Sequence, residues 1–106
     1  MGSEIALSII VSTIGRPDDL RRLIDSLVAQ DAPGTFELIV VDQSDDGNCL
    51  ALLADLDLPF PTRSTTSGRG VSLGRNVGAS LATGWLYAVP DDNCCYAPDT
   101  VSSVLR

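Results

Sequence analysis

Asp91, Asp92 and Asn93 stand directly behind an apolar run, residues 85–89, that ends in Pro90. Two adjacent carboxylates and an amide oxygen are hard oxygen donors. They suit Mg2+ or Mn2+, whose remaining positions water and a diphosphate can fill. The alternative is a solvated loop, because neighbouring carboxylates repel and are costly to bury without a partner. The chain contains no histidine. Acid–base chemistry therefore falls to carboxylates, and Ser-His or Cys-His catalysis is not expected. Cys49, Cys94 and Cys95 form no Cys-x-x-Cys pair, so zinc ligation is not expected either. The adjacent Cys94 and Cys95 read as reduced, partly buried thiols.

Two further polar sets follow apolar runs. Ser12, Thr13, Gly15 and Arg16 come after the run at 5–11, and Asp42, Gln43, Ser44, Asp45, Asp46 and Gly47 come after the run at 36–41. Each set also has an ordinary structural reading. Asp45-Asp46-Gly47 is a good turn sequence, and Thr13 can simply bond a nearby backbone group. Asp42 closes a strand, where a solvated loop acid is as natural as a binding group. The segment GRGVSLGRNVG is glycine-rich but lacks the lysine and spacing of a phosphate-binding loop, so a flexible loop is its default. Arg69 and Arg75 fit the usual surface role of arginine.

The elements that must carry these residues are legible from periodicity. The three apolar runs are nearly continuous, not alternating, which indicates a sheet covered on both faces, as in parallel α/β folds. Between the first two lies RPDDLRRLIDSLVAQ. Pro17 suits a first helical position, Asp18 and Asp19 suit the positive end of the helix dipole, and Leu20, Leu23, Ile24, Leu27 and Val28 follow one helical face. A short second helix is expected near 50–56, and PFPTRSTT holds a brief strand that its prolines place at an edge. Leu73, Val77 and Leu81 recur at helical spacing, with Gly84 where a C-terminal cap belongs. Gly74 and Gly78 inside that helix cost about 1 kcal/mol each against alanine, which close approach to a strand or ligand would offset. Pro98 and Asp99 open a last helix. The expected architecture is a three-layer, Rossmann-like α/β domain over residues 1–106, with about four mostly parallel strands in the order 3-2-1-4. Parallel strands share a direction, so all three polar sets lie at one edge, where open parallel sheets bind ligands.

Composition narrows the partners. The net charge is −7, from fourteen acids and seven bases, and every base is arginine. That balance argues against nucleic acid, though a bound divalent cation would still admit a nucleotide. No basic-then-apolar leader and no apolar run near 20 residues is present, which points to a cytoplasmic domain. Met1-Gly2-Ser3 reads as a cloning remnant.

In order, SIIVSTIGRPDDLRRLIDSLVAQ, ELIVVDQSDDG, GVSLGRNVGASLATGWLYAVPDDN and YAPD resemble the N-terminal half of family 2 glycosyltransferases, from about residue 6 onward. The resemblance implies the GT-A fold and a nucleotide-diphosphate sugar donor, most often UDP-linked. It further implies a divalent cation and, in a full-length protein that can associate with a membrane, a saccharide or lipid-linked acceptor. It places Thr13 and Arg16 beside the base, Asp42 as the acid that bonds the base, and Arg75 on the helix beside the nucleotide. Ser44 and Arg69, on the neighbouring loops, complete the expected nucleotide contacts. Asp92 becomes the principal metal ligand, with Asn93 beside it and Asp91 serving ribose or metal. Ile14 and Gly15 depart from the usual aromatic and Asn, which weakens stacking on the base. Asn93 stands where a third aspartate is common, which lowers the charge offered to the metal. The family's general base lies beyond this half, so no catalytic residue is named and the piece is expected to bind donor weakly. A non-catalytic α/β binding or oligomerisation module is the rival reading. A phosphoacceptor at Asp42 would lack its expected lysine. The strand ending in Val89 presents an open sheet edge, which predicts a homo-oligomer.

Overall fold

A computed structural model of the 106-residue chain describes residues 5–31, 35–90 and 95–104. The elements run β1 (Leu7–Thr13), α1 (Pro17–Val28), β2 (Phe36–Asp42), α2 (Asn48–Ala54), β3 (Thr62–Thr66), α3 (Val71–Leu81), β4 (Leu86–Ala88) and α4 (Thr100–Val104). The strands are parallel and ordered β3-β2-β1-β4, as the sequence predicted.

Alternate residues of the two central strands face different partners. Leu7, Ile9 and Val11 of β1, with Phe36, Leu38 and Val40 of β2, meet Leu20, Leu23, Ile24 and Leu27 of α1 in one apolar cluster. Pro17 opens α1, with Asp18 and Asp19 in its first turn, as expected. Val28, expected on the core face, is 44% exposed. At 100° per residue it lies about 90° from the centre of the leucine stripe, beyond the reach of the sheet. Gln30 ties the C-terminal segment to this side. Its amide nitrogen donates to Ser26 O (3.0 Å) and Ala97 O (2.7 Å), and its oxygen accepts from Val101 N (3.0 Å).

Ser8, Ile10 and Ser12, with Glu37, Ile39 and Val41, occupy the other face, which α3 covers. The buried residues of α3 are Gly74 and Gly78. A Cβ at Gly78 would lie 2.3 Å from Ile10 Cγ2, and one at Gly74 would lie 2.3 Å from Ser12 Oγ. The glycines inside this helix are thus matched by close approach to the strands. Leu73, expected on the buried face, is instead 46% exposed, because the glycine pair and not the leucine faces the sheet. Gly84 is not the cap either: α3 ends at Leu81 with Ala82 as its C-cap in extended backbone, and Gly84 packs against β1.

The α2 helix starts at Asn48, two residues before the expected position, because acids behind β2 accept its first amides (below). The edge strand β3 is polar. At the opposite edge, Trp85 (77%), Leu86 (44%) and Tyr87 (55%) are exposed. Cys49 is free and buried; Cys95 is free and exposed, not partly buried, in the coil before α4. Cys94 lies outside the described residues. Among the described residues, no helix is long and apolar enough to cross a membrane.

Candidate functional site

The C-terminal edge of the sheet gathers the ends of β1, β2 and β3. Thr13 pairs in register with Asp42, and Asp42 with Thr66. Period-two alternation then splits this rim into two sides. Thr13 and Asp42 turn toward α2, whereas Ser12 and Gln43 turn toward α3.

On the α2 side both side chains are buried, Thr13 at 1% and Asp42 at 0% exposure. Thr13 Oγ1 lies 3.4 Å from Cys49 Sγ. Asp42 Oδ1 accepts from Ser44 N at 2.9 Å and from the Ser44 hydroxyl, and Oδ2 accepts from Leu50 N at 3.2 Å. Gly47 at the N-cap of α2 has φ +67 and no side chain to cap with. Asp42 therefore serves as a remote cap, satisfying an amide of the first turn. Asp46 supports the same turn by accepting from Asn48 N (3.1 Å) and Asn48 Nδ2 (2.8 Å), as the turn reading of Asp45-Asp46-Gly47 expected.

On the α3 side a single amide organises the glycine-rich loop. Gln43 is 5% exposed, and its Nε2 donates to Ser67 Oγ (3.0 Å), Gly68 O (2.9 Å) and Gly70 O (2.9 Å). It pins residues 67–70 to the end of β2, just ahead of α3. Ser12 Oγ, beneath Gly74, is buried with no hydrogen-bond partner among the described residues. The helix runs against the strands, so its first turn meets Ser12 and Gln43 at this rim. Gly70, its N-cap, has φ +135.

The predicted arginines are exposed at this periphery. Arg69 forms an ion pair with Asp45 at 3.6 Å, joining the loop after β2 to the glycine loop. Arg16 opens α1, and its carbonyl accepts from Leu20 N at 3.0 Å. Arg75 lies on α3, next to the close-packed Gly74. Gly15 has φ +61. Glycine and asparagine are the residues that adopt this left-handed conformation readily, so its departure from the usual Asn keeps the turn. Asp91, Asp92 and Asn93 lie outside the described residues. The strand that leads to them, β4, runs parallel to β1, so the chain leaves it toward the same edge as Thr13 and Asp42. Among the described residues there is no cluster of three or more metal-binding side chains.

The structure thus brings Thr13, Asp42 and Ser44 together and sets Arg69 on the adjacent loop. Sequence reasoning counted Gln43 in the polar set after β2 but gave it no role, although an amide directly behind a strand-ending acid is well suited to pin a loop of carbonyls. It passed over Glu37, whose signal was a charge inside an apolar run. Glu37 pairs in register with Ser8 near the other end of the sheet.

Comparisons with known proteins agree with this architecture. The family profile described as glycosyl transferase family 2 matches residues 8–106. An uncharacterized glycosyltransferase of Haemophilus influenzae is 34% identical over 104 residues, covering 94% of this chain and 33% of that protein. The structure of S. aureus TarS 1-349 in complex with UDP-GlcNAc superposes with a TM-score of 0.83 at 25% identity, over 95% of this chain and 30% of that one. The mannosyltransferase PcManGT of Pyrobaculum calidifontis, solved with GDP-Man and Mn2+, shares the fold with a TM-score of 0.82 at 21% identity, over 96% of this chain and 32% of that one. The chain therefore spans about a third of the length of these relatives. By the family profile, which matches nearly the whole chain, the chain belongs to glycosyltransferase family 2.

Proposed function

We propose that this chain is the donor-binding part of a metal-dependent glycosyltransferase that takes a nucleotide-diphosphate sugar, with uracil as the base. The observation that carries the reading is the rim itself. Thr13 and Asp42 end parallel strands in register, with the pinned loop at 67–70 and the first turn of α3 beside them. Membership of the family and the UDP-GlcNAc complex of TarS support the donor class. Thr13, Arg16, Ser44, Arg69 and Arg75 are assigned to the nucleotide. Asp42 holds the turn from Ser44 to Leu50 that frames the base, and direct contact with the base requires that turn to shift.

Asp92, with Asp91 and Asn93, would hold Mg2+ or Mn2+; two carboxylates and an amide oxygen are the hard donors these ions prefer. The ion supplies charge neutralisation at the departing diphosphate. The Mn2+ in the PcManGT structure is consistent with this use in the family. No general base is assigned, and these 106 residues are expected to bind donor and transfer little sugar. Transfer to a saccharide or lipid-linked acceptor belongs to a longer protein of the kind the relatives represent.

The engagement of Asp42 by its own loop favours one competing reading, a non-catalytic module that keeps the fold without the chemistry. Calorimetric titration with UDP, with and without Mn2+, separates them. The donor reading expects metal-dependent heat at millimolar ligand that the double variant Asp91→Ala, Asp92→Ala loses. A folded sample giving no such heat supports the module. A homodimer through the β4 edge is part of the proposal, since Leu86 and Tyr87 leave that edge apolar and exposed. Sedimentation should show dimer at high concentration; clean monomer would remove this part.

A further inference from the structure

Glu37 is a carboxylate within an apolar strand, near the opposite end of the sheet from Asp42, and donor binding as read above makes no use of it. It is 1% exposed. One of its oxygens, Oε2, accepts from Ser8 Oγ (2.6 Å), Thr83 N (2.7 Å) and Thr83 Oγ1 (3.0 Å). Ser8 Oγ in turn accepts from Gly84 N at 2.9 Å. A Cβ at Gly84 would stand 2.8 Å from that hydroxyl and 2.9 Å from Ser8 N, so the turn sits directly against β1. Just beyond, Trp85 N (3.1 Å) and Leu86 N (3.0 Å) both donate to Ala6 O. Burial pushes the Glu37 carboxyl up, but the Ser8 and Thr83 donors and the Arg63 charge outweigh it and hold the group below the ordinary glutamate value. Arg63, on β3, also donates to Leu81 O at 2.9 Å at the end of α3.

This network meets a need created by β4. That strand has three residues and, among the described residues, pairs with β1 alone, so its own ladder holds it weakly. The turn that enters it offers Glu37 only donors. Oε2 takes all three bonds as a charged acceptor, whereas an amide oxygen in its place would take them without the charge that strengthens them. Past β4, Val89 and Pro90 lead straight to Asp91 and Asp92.

We propose that Glu37 is a positioning residue for the donor site: with Ser8 it grips the Thr83–Gly84 turn and so sets the line of β4, the strand that precedes Asp91 and Asp92 in the chain. The role rests on the donor-binding function proposed above. Its test uses the 106-residue chain as wild type, Glu37→Gln and Thr83→Val. Two readouts are taken, amide hydrogen exchange and UDP calorimetry with and without Mn2+. In Glu37→Gln, exchange at residues 83–86 is expected to rise about tenfold while residues 38–41 stay protected, and the metal-dependent part of UDP affinity is expected to fall about tenfold. Thr83→Val, which removes one donor, should show the same pattern more weakly, and it decides the matter alone if Glu37→Gln does not fold. A uniform rise across β1 and β2 marks a merely structural role and overturns the proposal, as does wild-type protection at 83–86. Loss of protection confined to 83–86 with unchanged metal-dependent affinity also overturns it. If wild type itself gives no metal-dependent heat, the donor function fails and the positioning role goes with it, whatever the exchange pattern; an affinity present in wild type and kept in the variants instead sinks the positioning role alone.

Discussion

The two faces of this one sheet are covered by opposite means. On the α1 side, bulk fills the space: Leu20, Leu23, Ile24 and Leu27 interleave with six apolar residues of β1 and β2. On the α3 side, space is removed: Gly74 and Gly78 let the helix backbone approach Ser12 and Ile10 more closely than any side chain would permit. The first face draws its stability from apolar burial, roughly 1.5–3 kcal/mol per fully buried Leu or Ile. The second face is polar at both ends, with Ser8 and Glu37 at one and Ser12 and Gln43 at the other, and it depends on hydrogen bonds and close fit. The difference teaches where position is controlled. A leucine layer can repack, but a turn hung on one carboxylate and a loop hung on one amide have a single arrangement each, the loop beside the proposed donor rim and the turn at the far end of the sheet.

The comparison breaks most visibly on the filled face. Leu23 is 0% exposed, and Leu23→Ala should cost about 2–5 kcal/mol, read as a lower urea midpoint at constant slope. That deficit should not vary with pH, because no titratable group enters it. Glu37→Gln should cost less, about 1–3 kcal/mol near neutrality, and its deficit should depend on pH. The folded carboxyl is held below its unfolded value, so its contribution is fully present above the ordinary glutamate range and is lost as pH falls through the folded value. Wild type and Glu37→Gln should therefore converge in acid, while wild type and Leu23→Ala stay apart. A Glu37→Gln deficit that persists unchanged into acid would mean that the charge is not what holds the turn.

How far the sequence revealed these faces follows from what each is made of. The leucine stripe of α1 is a positive signal, repeated at helical spacing, and it marked the helix that fills one face. The closely approached face is signalled by absence. Two glycines in α3 indicated close approach, but Leu73 and Val77 suggested a leucine-type face that the backbone contact displaces. Asp42 was legible as a strand-ending acid at the right edge. Its service as a remote cap for α2 was not, because that depends on Gly47 bringing Leu50 N back over β2, a tertiary detail. Gly84 was misread as a cap for a similar reason: its need for no side chain comes from Ser8, far away in the chain. The pattern of the strands held the one available clue to Glu37. A charge in a continuous apolar run, in register with a serine, has to be satisfied by something from outside the two strands.

The smallest expected effect is the sharpest test of the closely approached face, because two opposing terms nearly cancel. Gly78→Ala gains about 1 kcal/mol of helix propensity. On an open helix that term would win and the variant would be more stable. Here the new methyl would sit 2.3 Å from Ile10 Cγ2 and 3.3 Å from Val41 Cγ2, both on buried, β-branched side chains with little freedom to turn aside. Overpacking of that kind costs about 1–3 kcal/mol. The cost exceeds the gain over most of that range, so Gly78→Ala should lower stability by about 1 kcal/mol. Thermal or urea unfolding beside wild type measures it. A stabilised Gly78→Ala would show slack between α3 and the sheet, and the face read here as closely fitted would be loosely covered instead.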